Sequence, residues 1–176
     1  EAAGKPLNTL EGLKAMKNGF LMAGLYAALA MFIVLLLDFR NPKHTLVALA
    51  PLAMGMVAAL GLMTLFGWPL NPANMIAFPL ILGVGADNGV HVLHDYRSRH
   101  RGRPYRLGHA IGRGIMVTAL TTILGFGTLM ISHHRGLASL GLILTLGVTC
   151  CMLTALVFLP ALLQVLSVRG RRIISI

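Results

Sequence analysis

The stretch FLMAGLYAALAMFIVLLL, residues 20–37, decides the fold class, because no charged side chain occurs along its whole length. A helix needs about 20 apolar residues to cross the hydrocarbon core of a bilayer, which is about 30 Å thick. Lys17 and Asp38 flank the stretch, where charged side chains can reach the polar interface. We therefore expect this segment to be a transmembrane helix.

Four further apolar blocks follow, separated by short breaks that are basic or contain Gly and Pro. The expected membrane spans are about 20–37, 45–66, 74–93, 114–131 and 137–166. Residues 1–19 are expected to form an extracytoplasmic connector with a short amphipathic helix, and residues 167–176 a basic cytoplasmic tail. Because proline disrupts helix interiors, we expect kinks near Pro79 and Pro160, with the fifth block leaving the membrane as an interfacial turn. The sequence thus predicts an all-α integral membrane protein with five transmembrane helices.

The composition supports a membrane protein. Only 11% of the residues are charged and 56% are hydrophobic, with a mean hydropathy of +0.79. Soluble domains carry roughly 25% charged residues, so this chain has too little polar surface for a soluble enzyme or a disordered protein. Cys150 and Cys151 are neighbours inside an apolar block, without metal-ligand spacing, and are expected to be buried thiols. We expect no cofactor, and the cysteines indicate no metal site.

The basic residues predict the orientation of the chain. The breaks at 38–44 and 95–113 and the tail at 167–176 lie on one side of the membrane and carry eleven Lys and Arg, against four on the other side. Basic residues concentrate in cytoplasmic loops. We therefore expect an extracytoplasmic N-terminus and a cytoplasmic C-terminus, and we do not expect nucleic-acid binding, which needs a basic face on a soluble module.

Asp87 is the acidic residue that lies well inside an apolar block, about 12 Å from the cytoplasmic end of its helix near Asp95. An ionisable group at such a depth is costly unless it is paired, hydrated or neutralised. His91 lies one helical turn closer to the cytoplasm on the same helix face. Asn88, the residue after Asp87, adds a polar group. We favour a proton-carrying carboxylate. A carboxylate held by a permanent hydrogen bond, and a metal site of Asp87, His91 and His94, stay open as alternatives.

Three threonines of the fourth block form a stripe at the depth of Asp87. Thr118, Thr121 and Thr122 would lie about 9–15 Å from the cytoplasmic end, since the third and fourth spans run antiparallel. Their hydroxyls could donate to a carboxylate at that level or to the backbone carbonyls of their own helix. Both interpretations stay open.

Small residues recur at the spacing of close helix packing in a membrane. The glycines expected to pack against neighbouring helices are Gly83, Gly85, Gly89 and Gly125.

Four sequence runs carry a resemblance to a known family: GVGADNGVH (83–91), TTILGFG (121–127), LPALL (159–163) and LNPANMI (70–76). The chain resembles the resistance–nodulation–division (RND) superfamily, and most closely its MMPL-like, hopanoid-transporting branch. Five spans are also the extent of the sterol-sensing domain, which belongs to the same superfamily. The resemblance covers essentially the whole chain.

This resemblance implies a function as well as a fold. Family members have twelve spans in two halves, so the chain would form most of one half-bundle, spans eight to twelve or two to six of a longer protein. It would be the membrane part of a proton-driven lipid exporter in the inner membrane of a bacterium, moving hopanoids or similar polycyclic lipids toward the outer membrane. Such a protein is a secondary active transporter and not an enzyme. Its partners would be membrane lipids and the other RND half or a second copy.

The resemblance also implies a role for Asp87, which matches a proton-relay carboxylate of the family, and the polar residues expected near it complete the relay. The expected proton-relay residues are Asp87, Asn88, His91, Thr118, Thr121 and Thr122. The chain departs from the family in two respects: no Lys lies in an expected span, and Asn88 stands where many MMPL members have Tyr. Two other functions stay open, a sterol-sensing-like bundle that binds lipid without transporting it, and a SecD/SecF-type translocation component.

The orientation makes a testable prediction. A cysteine placed at Ser98, in the Arg-rich break, should not react with a membrane-impermeant thiol reagent added to intact cells, because that break is expected in the cytoplasm. A cysteine replacing Arg135, on the opposite side, should react and serves as the control. Efficient labelling at position 98 would overturn the topology.

Overall fold

The structure, a computed structural model, describes residues 4–99 and 105–169 of the chain. These residues form the α-helices α1 (Gly4–Phe39), α2 (Pro42–Leu65), α3 (Pro72–Met75), α4 (Ala77–Arg99), α5 (His109–Gly127), α6 (Arg135–Leu153) and α7 (Leu159–Arg169). A 3₁₀ turn, Thr128–Ile131, extends α5, and a π-helical turn, Thr154–Phe158, joins α6 to α7. The described part of the chain contains no β-strand, which confirms the predicted all-α class.

Five helical segments are long and apolar enough to cross a membrane, as predicted. They are Lys14–Phe39, Pro42–Leu65, Pro72–Ser98, His109–Ile131 and Arg135–Ser167. The third and fifth segments are the most enclosed by the rest of the chain, whereas the first and fourth lie at its periphery. The centre of the bundle is therefore built from α2, α4 and α6, which pack on one another.

The N-terminal region differs from the expectation of a separate surface helix. α1 runs without a break from Gly4 to Phe39, so the expected connector helix is the first part of the same element as the first span. The helix continues because Pro6 lies in its first turn, where the missing N–H costs no hydrogen bond, and the next proline is Pro42.

Asparagine caps begin two of the helices. The Asn41 side chain accepts a hydrogen bond from the Lys43 backbone N–H at 3.0 Å, and a proline follows the cap. Asn71 and Asn74 form a reciprocal capping box around α3. Their side-chain amides also donate to Ser139 Oγ, at 3.1 and 2.9 Å. This network attaches the start of the third span to α6 in the fifth.

Prolines interrupt the spans in two different ways. The third span breaks at Ile76, between α3 and α4, and Pro79 lies in the first turn of α4, where a proline is tolerated. In the fifth span the π-helical turn ends two residues before Pro160, and the chain stays helical to Arg169. The interfacial turn expected after Pro160 is therefore not formed. The wider π turn accommodates a residue that lacks an N–H and crowds the preceding turn.

Two buried clusters make up the core. One lies at the end of the bundle where α1 and α4 finish and α2 and α5 begin, here called the basic end because it carries Arg40, Lys43, Arg97 and Arg106. Its buried members are Leu35, Phe39, Ala48, Val92, Leu93, Tyr96, Tyr105, Ile115, Leu159 and Leu163. The second cluster contains Leu52, Met63, Ala77, Ile81, Ala86, Ile143, Leu144 and Cys151.

Glycines let the three central helices approach closely. A Cβ added at Gly55 of α2 would lie 2.7 Å from Cα of Cys151 in α6, and one added at Gly85 of α4 would lie 3.0 Å from its Sγ. A Cβ at Gly89 would run into the carbonyl oxygen of Ala48 in α2. Cys150 and Cys151 are free and buried, as expected. These contacts fix α4 against α2 and α6 along one face.

Two of the four glycines expected to pack against neighbouring helices, Gly83 and Gly125, make no close contact with the described residues. A Cβ at Gly83 or Gly125 would meet no atom of the described neighbours within 4 Å. Gly83 is exposed because it lies on the side of α4 that turns away from α2, and α5 presents Gly125 outward at the periphery. Neither glycine contributes to helix packing within this bundle.

The close contact at Gly89 predicts a stability effect. Gly89→Ala should lower the free energy of unfolding by about 1–3 kcal/mol, because the added methyl group meets helix backbone that cannot rotate away. Gly61→Ala is the matched control on α2, since its Cβ would meet nothing within 4 Å. Thermal unfolding in detergent micelles measures both. Equal midpoints for the two variants would contradict the packing of α4 on α2.

Candidate functional site

A cleft of about 370 Å³ lies between α4 and α5. Its lining residues are Val84, Asp87, Asn88, His91, Ala110, Ile111, Gly114, Ile115, Thr118, Ala119 and Thr122. The cleft therefore brings together five of the six residues that the sequence analysis assigned to a proton relay. The sixth, Thr121, does not line the cleft and is exposed.

Helical periodicity explains which side chains meet. Positions 84, 87, 88 and 91 share one face of α4, and Thr118 and Thr122 are one turn apart on α5. Because the two helices run antiparallel, residues counted inward from the basic end reach the same depth. α5 packs mainly on α6 and touches α4 much less. The space between α4 and α5 is therefore left open instead of being filled by interlocking side chains.

Asp87 and Asn88 have different environments although they are neighbours. Both line the cleft, but Asn88 is only 6% exposed, whereas Asp87 is exposed. Among residues 4–99 and 105–169, no side chain forms an ion pair with the Asp87 carboxylate, and no backbone group donates to it. The described residues therefore offer no permanent partner for this charge, and a proton or water can reach it.

The threonine hydroxyls donate to their own helix. Thr118 Oγ1 donates to the Gly114 carbonyl at 2.9 Å, and Thr122 Oγ1 donates to the Thr118 carbonyl at 2.8 Å. Thr121 Oγ1 lies 3.1 Å from the Val117 carbonyl and 2.8 Å from that of Thr118. The structure therefore shows the backbone-bonded alternative. Each hydroxyl oxygen in the cleft still has lone pairs that can accept a hydrogen bond.

The two histidines of α4 have different partners. His91 is exposed and lines the cleft one turn from Asp87. His94 instead contacts Asp38 at the end of α1, with 2.8 Å between Nε2 and Oδ2, and its ring lies 5.0 Å from that of Phe39. In the described residues no three His, Cys, Asp or Glu side chains come close enough to hold a metal ion. A metal site of Asp87, His91 and His94 therefore has no geometric support.

A second carboxylate was not identified as functional from the sequence. Asp95, near the end of the third span, is 6% exposed. Its Oδ2 accepts hydrogen bonds from Tyr105 Oη and from the Gly108 backbone N–H, both at 3.0 Å. Its position is the sequence feature that could have identified it, because Asp95 follows His91 by four residues and so continues the same helix face.

Comparison with known proteins identifies one matching family and several similar proteins. The MMPL family matches residues 3–174 of the chain. The hopanoid transporter HpnN of Rhodopseudomonas palustris is 36% identical over 162 residues, and that of Burkholderia multivorans is 33% identical; each alignment covers 92% of this chain and 18% of the relative. The putative membrane protein MJ1562 of Methanocaldococcus jannaschii is 33% identical over 145 residues, covering 78% of this chain and 37% of that protein. The chain thus spans less than a fifth of the length of the two hopanoid transporters.

The contrast between the two carboxylates of α4 is testable by chemical modification. An apolar carbodiimide adds to protonated carboxyl groups that it can reach, so Asp87 should be modified and the buried, hydrogen-bonded Asp95 should be protected. Peptide mass spectrometry measures both sites in one sample, with Asp87→Asn as the control for assignment. Equal modification of the two residues would contradict the environments described here.

Proposed function

The chain belongs to the MMPL family, and we propose that it forms the membrane part of a lipid exporter driven by the proton motive force. The family match and the two hopanoid-transporting relatives confirm the resemblance to the RND superfamily and its MMPL-like branch that the sequence motifs indicated. The observation that carries the proposal is the exposure of Asp87, without a protein partner among the described residues, in a cleft inside the third span.

The chemistry of Asp87 supports proton coupling. A charged carboxylate at this depth is expensive, and binding a proton removes the charge. Moving one elementary charge through 100 mV is worth about 2.3 kcal/mol, so a carboxylate that alternates between the two states can draw work from the gradient. In this proposal, protonation neutralises Asp87 and lets the helices around the cleft repack, and release of the proton resets them.

The other cleft residues take supporting roles in the proposal. His91 passes the proton between Asp87 and the basic end, and the oxygens of Thr118 and Thr122 accept hydrogen bonds from the protonated carboxyl or from water in the cleft. Asn88 is buried beside Asp87 in the lining of the cleft and supplies a polar side chain next to the carboxylate. We leave Thr121 out of the relay, because it lies outside the cleft.

The relatives suggest the substrate and the setting. Two of them are hopanoid transporters by name, and we propose that this chain serves the export of hopanoids or similar polycyclic lipids from the inner membrane toward the outer membrane. The basic end then faces the cytoplasm, in agreement with the distribution of Lys and Arg. The open side of the cleft leaves Asp87 uncovered, and the other RND half or a second copy of this chain would cover it.

The relay predicts a graded loss of transport. Asp87→Asn keeps the size and the hydrogen-bonding capacity of the side chain but fixes it in a neutral state, so proton-driven lipid movement should fall to the rate of protein-free vesicles while the protein stays folded. His91→Ala should slow transport less, because water can replace the ring in a hydrated path. Thr122→Val should fall between these two. The assay uses the full product of the gene reconstituted into lipid vesicles with an imposed pH gradient.

The control for this series is Thr128→Val. Thr128 also donates to a carbonyl of its own helix, that of Gly125 at 2.7 Å, but it does not line the cleft. Its loss should leave transport unchanged. Near-normal transport by Asp87→Asn would exclude the relay and favour the lipid-binding, sterol-sensing-like alternative.

A further inference from the structure

The contact between Asp95 and the start of α5 suggests a role that the cleft residues alone do not explain. α5 begins after Gly108, which has no side chain and gives the helix no cap of its own. The first backbone N–H groups of a helix lack partners within it, and the helix dipole places partial positive charge there. Asp95, on a different helix, supplies both an acceptor for the Gly108 N–H and a negative charge.

Tyr105 attaches the preceding linker to the same carboxylate. Its hydroxyl lies 3.0 Å from Asp95 Oδ2 and 3.3 Å from the Val92 carbonyl oxygen, and its ring meets that of Tyr96 edge to face, with centroids 5.2 Å apart. Tyr105 is only 4% exposed. Asp95, Tyr105 and Gly108 therefore form a buried joint between the last turns of α4 and the first turn of α5, which we call the Asp95 clamp.

The clamp lies at the mouth of the cleft. Asp95 is one turn beyond His91 on α4, and the cleft residues Ala110, Ile111 and Gly114 belong to the first two turns of α5 after Gly108. Along the rest of their length α4 and α5 touch each other little. The separation of the two helices at the mouth therefore depends on where the clamp holds the start of α5.

We propose that Asp95 is a positioning residue for the cleft: by holding the first turn of α5 against α4, it sets the width of the opening between His91 and Gly114. Asp95 does not contact the relay carboxylate and carries no proton in this role. The width of the opening is a property of the fold alone, and its effect on proton release rests on the function proposed above.

The first test measures the joint itself, without transport. In Asp95→Asn the charge is lost, so amide hydrogen exchange of the segment 105–112 should accelerate about tenfold or more, as expected for the loss of a hydrogen bond to a charged group. Tyr105→Phe removes only the hydroxyl and should act in the same direction with a smaller effect. Ser98→Ala is the control, because Ser98 donates to the backbone carbonyl of Asp95 and not to its carboxylate. Unchanged exchange in both clamp variants would overturn the proposal.

The second test measures the width of the mouth. Spin labels on cysteines replacing Lys43, at the start of α2, and Arg113, in α5, report the position of α5 at the basic end; both side chains are exposed. The distance distribution should broaden or shift in Asp95→Asn and Tyr105→Phe and stay unchanged in Ser98→Ala. If amide exchange becomes faster but the distance between the two labels does not change, Asp95 only caps the start of α5 locally, and the positioning role is wrong.

The final measurement separates this proposal from the proposed function. Proton-driven lipid movement, expressed per folded transporter, should fall in Asp95→Asn, while the lipid concentration for half-maximal rate should not change, because a positioning residue in this proposal does not contact the substrate. Asp95→Glu keeps the charge and should restore part of the rate. If Asp87→Asn transports normally, the relay is wrong, but exchange and distance still decide whether the clamp exists. If Asp87→Asn is inactive and Asp95→Asn transports at the full rate, the positioning role is wrong.

Discussion

The close approach of α4 to α2 at Gly89 is the contact on which the rest of the arrangement depends. The absence of a side chain there lets the α4 backbone lie against the Ala48 carbonyl, and Gly55 and Gly85 let α2 and α4 pack closely on Cys151 of α6. With one face of α4 held in this way, its opposite face is left to α5, which contacts α4 little. Asp87 lies on that opposite face and is exposed to the cleft between the two helices.

Asp87 and Asp95 show how one helix can give two carboxylates different properties. They are two turns apart. Asp95 lies where the linker folds back onto α4 and, within the described part of the chain, accepts hydrogen bonds from Tyr105 and from the Gly108 backbone N–H, whereas Asp87 lies where the cleft opens between α4 and α5. Fixed donors tie Asp95 to the linker and the start of α5, while Asp87 has no donor among the described residues. The divergence of α4 and α5 from a common joint produces both environments.

The number of spans could be predicted from sequence because it depends only on the lengths of the apolar blocks. Most of the cleft could be predicted because the helical repeat determines which side chains share a face. Asp87, His91, Thr118 and Thr122 follow from these together with antiparallel direction. Thr121 shows the limit, since one position along a helix turns a side chain by about 100°. The partners of His94 and Asp95 could not be predicted in the same way. His94 contacts Asp38, more than fifty residues away in the chain, and the contacts of Asp95 depend on how an irregular linker folds back, which no periodicity encodes.

The π-helical turn at Thr154–Phe158 sets the rotational phase of everything that follows it. A π turn holds one more residue than the α-helical turn it replaces. α7 is therefore rotated relative to a straight continuation of α6, and in this rotated setting Leu159 and Leu163 are 0% and 1% exposed. Removing one residue from the turn would relax it to α-helix and swing α7 by about 100°, turning these two leucines out of the core. A relative that lacks one residue of this turn should therefore also carry its apolar side chains on a different face of α7.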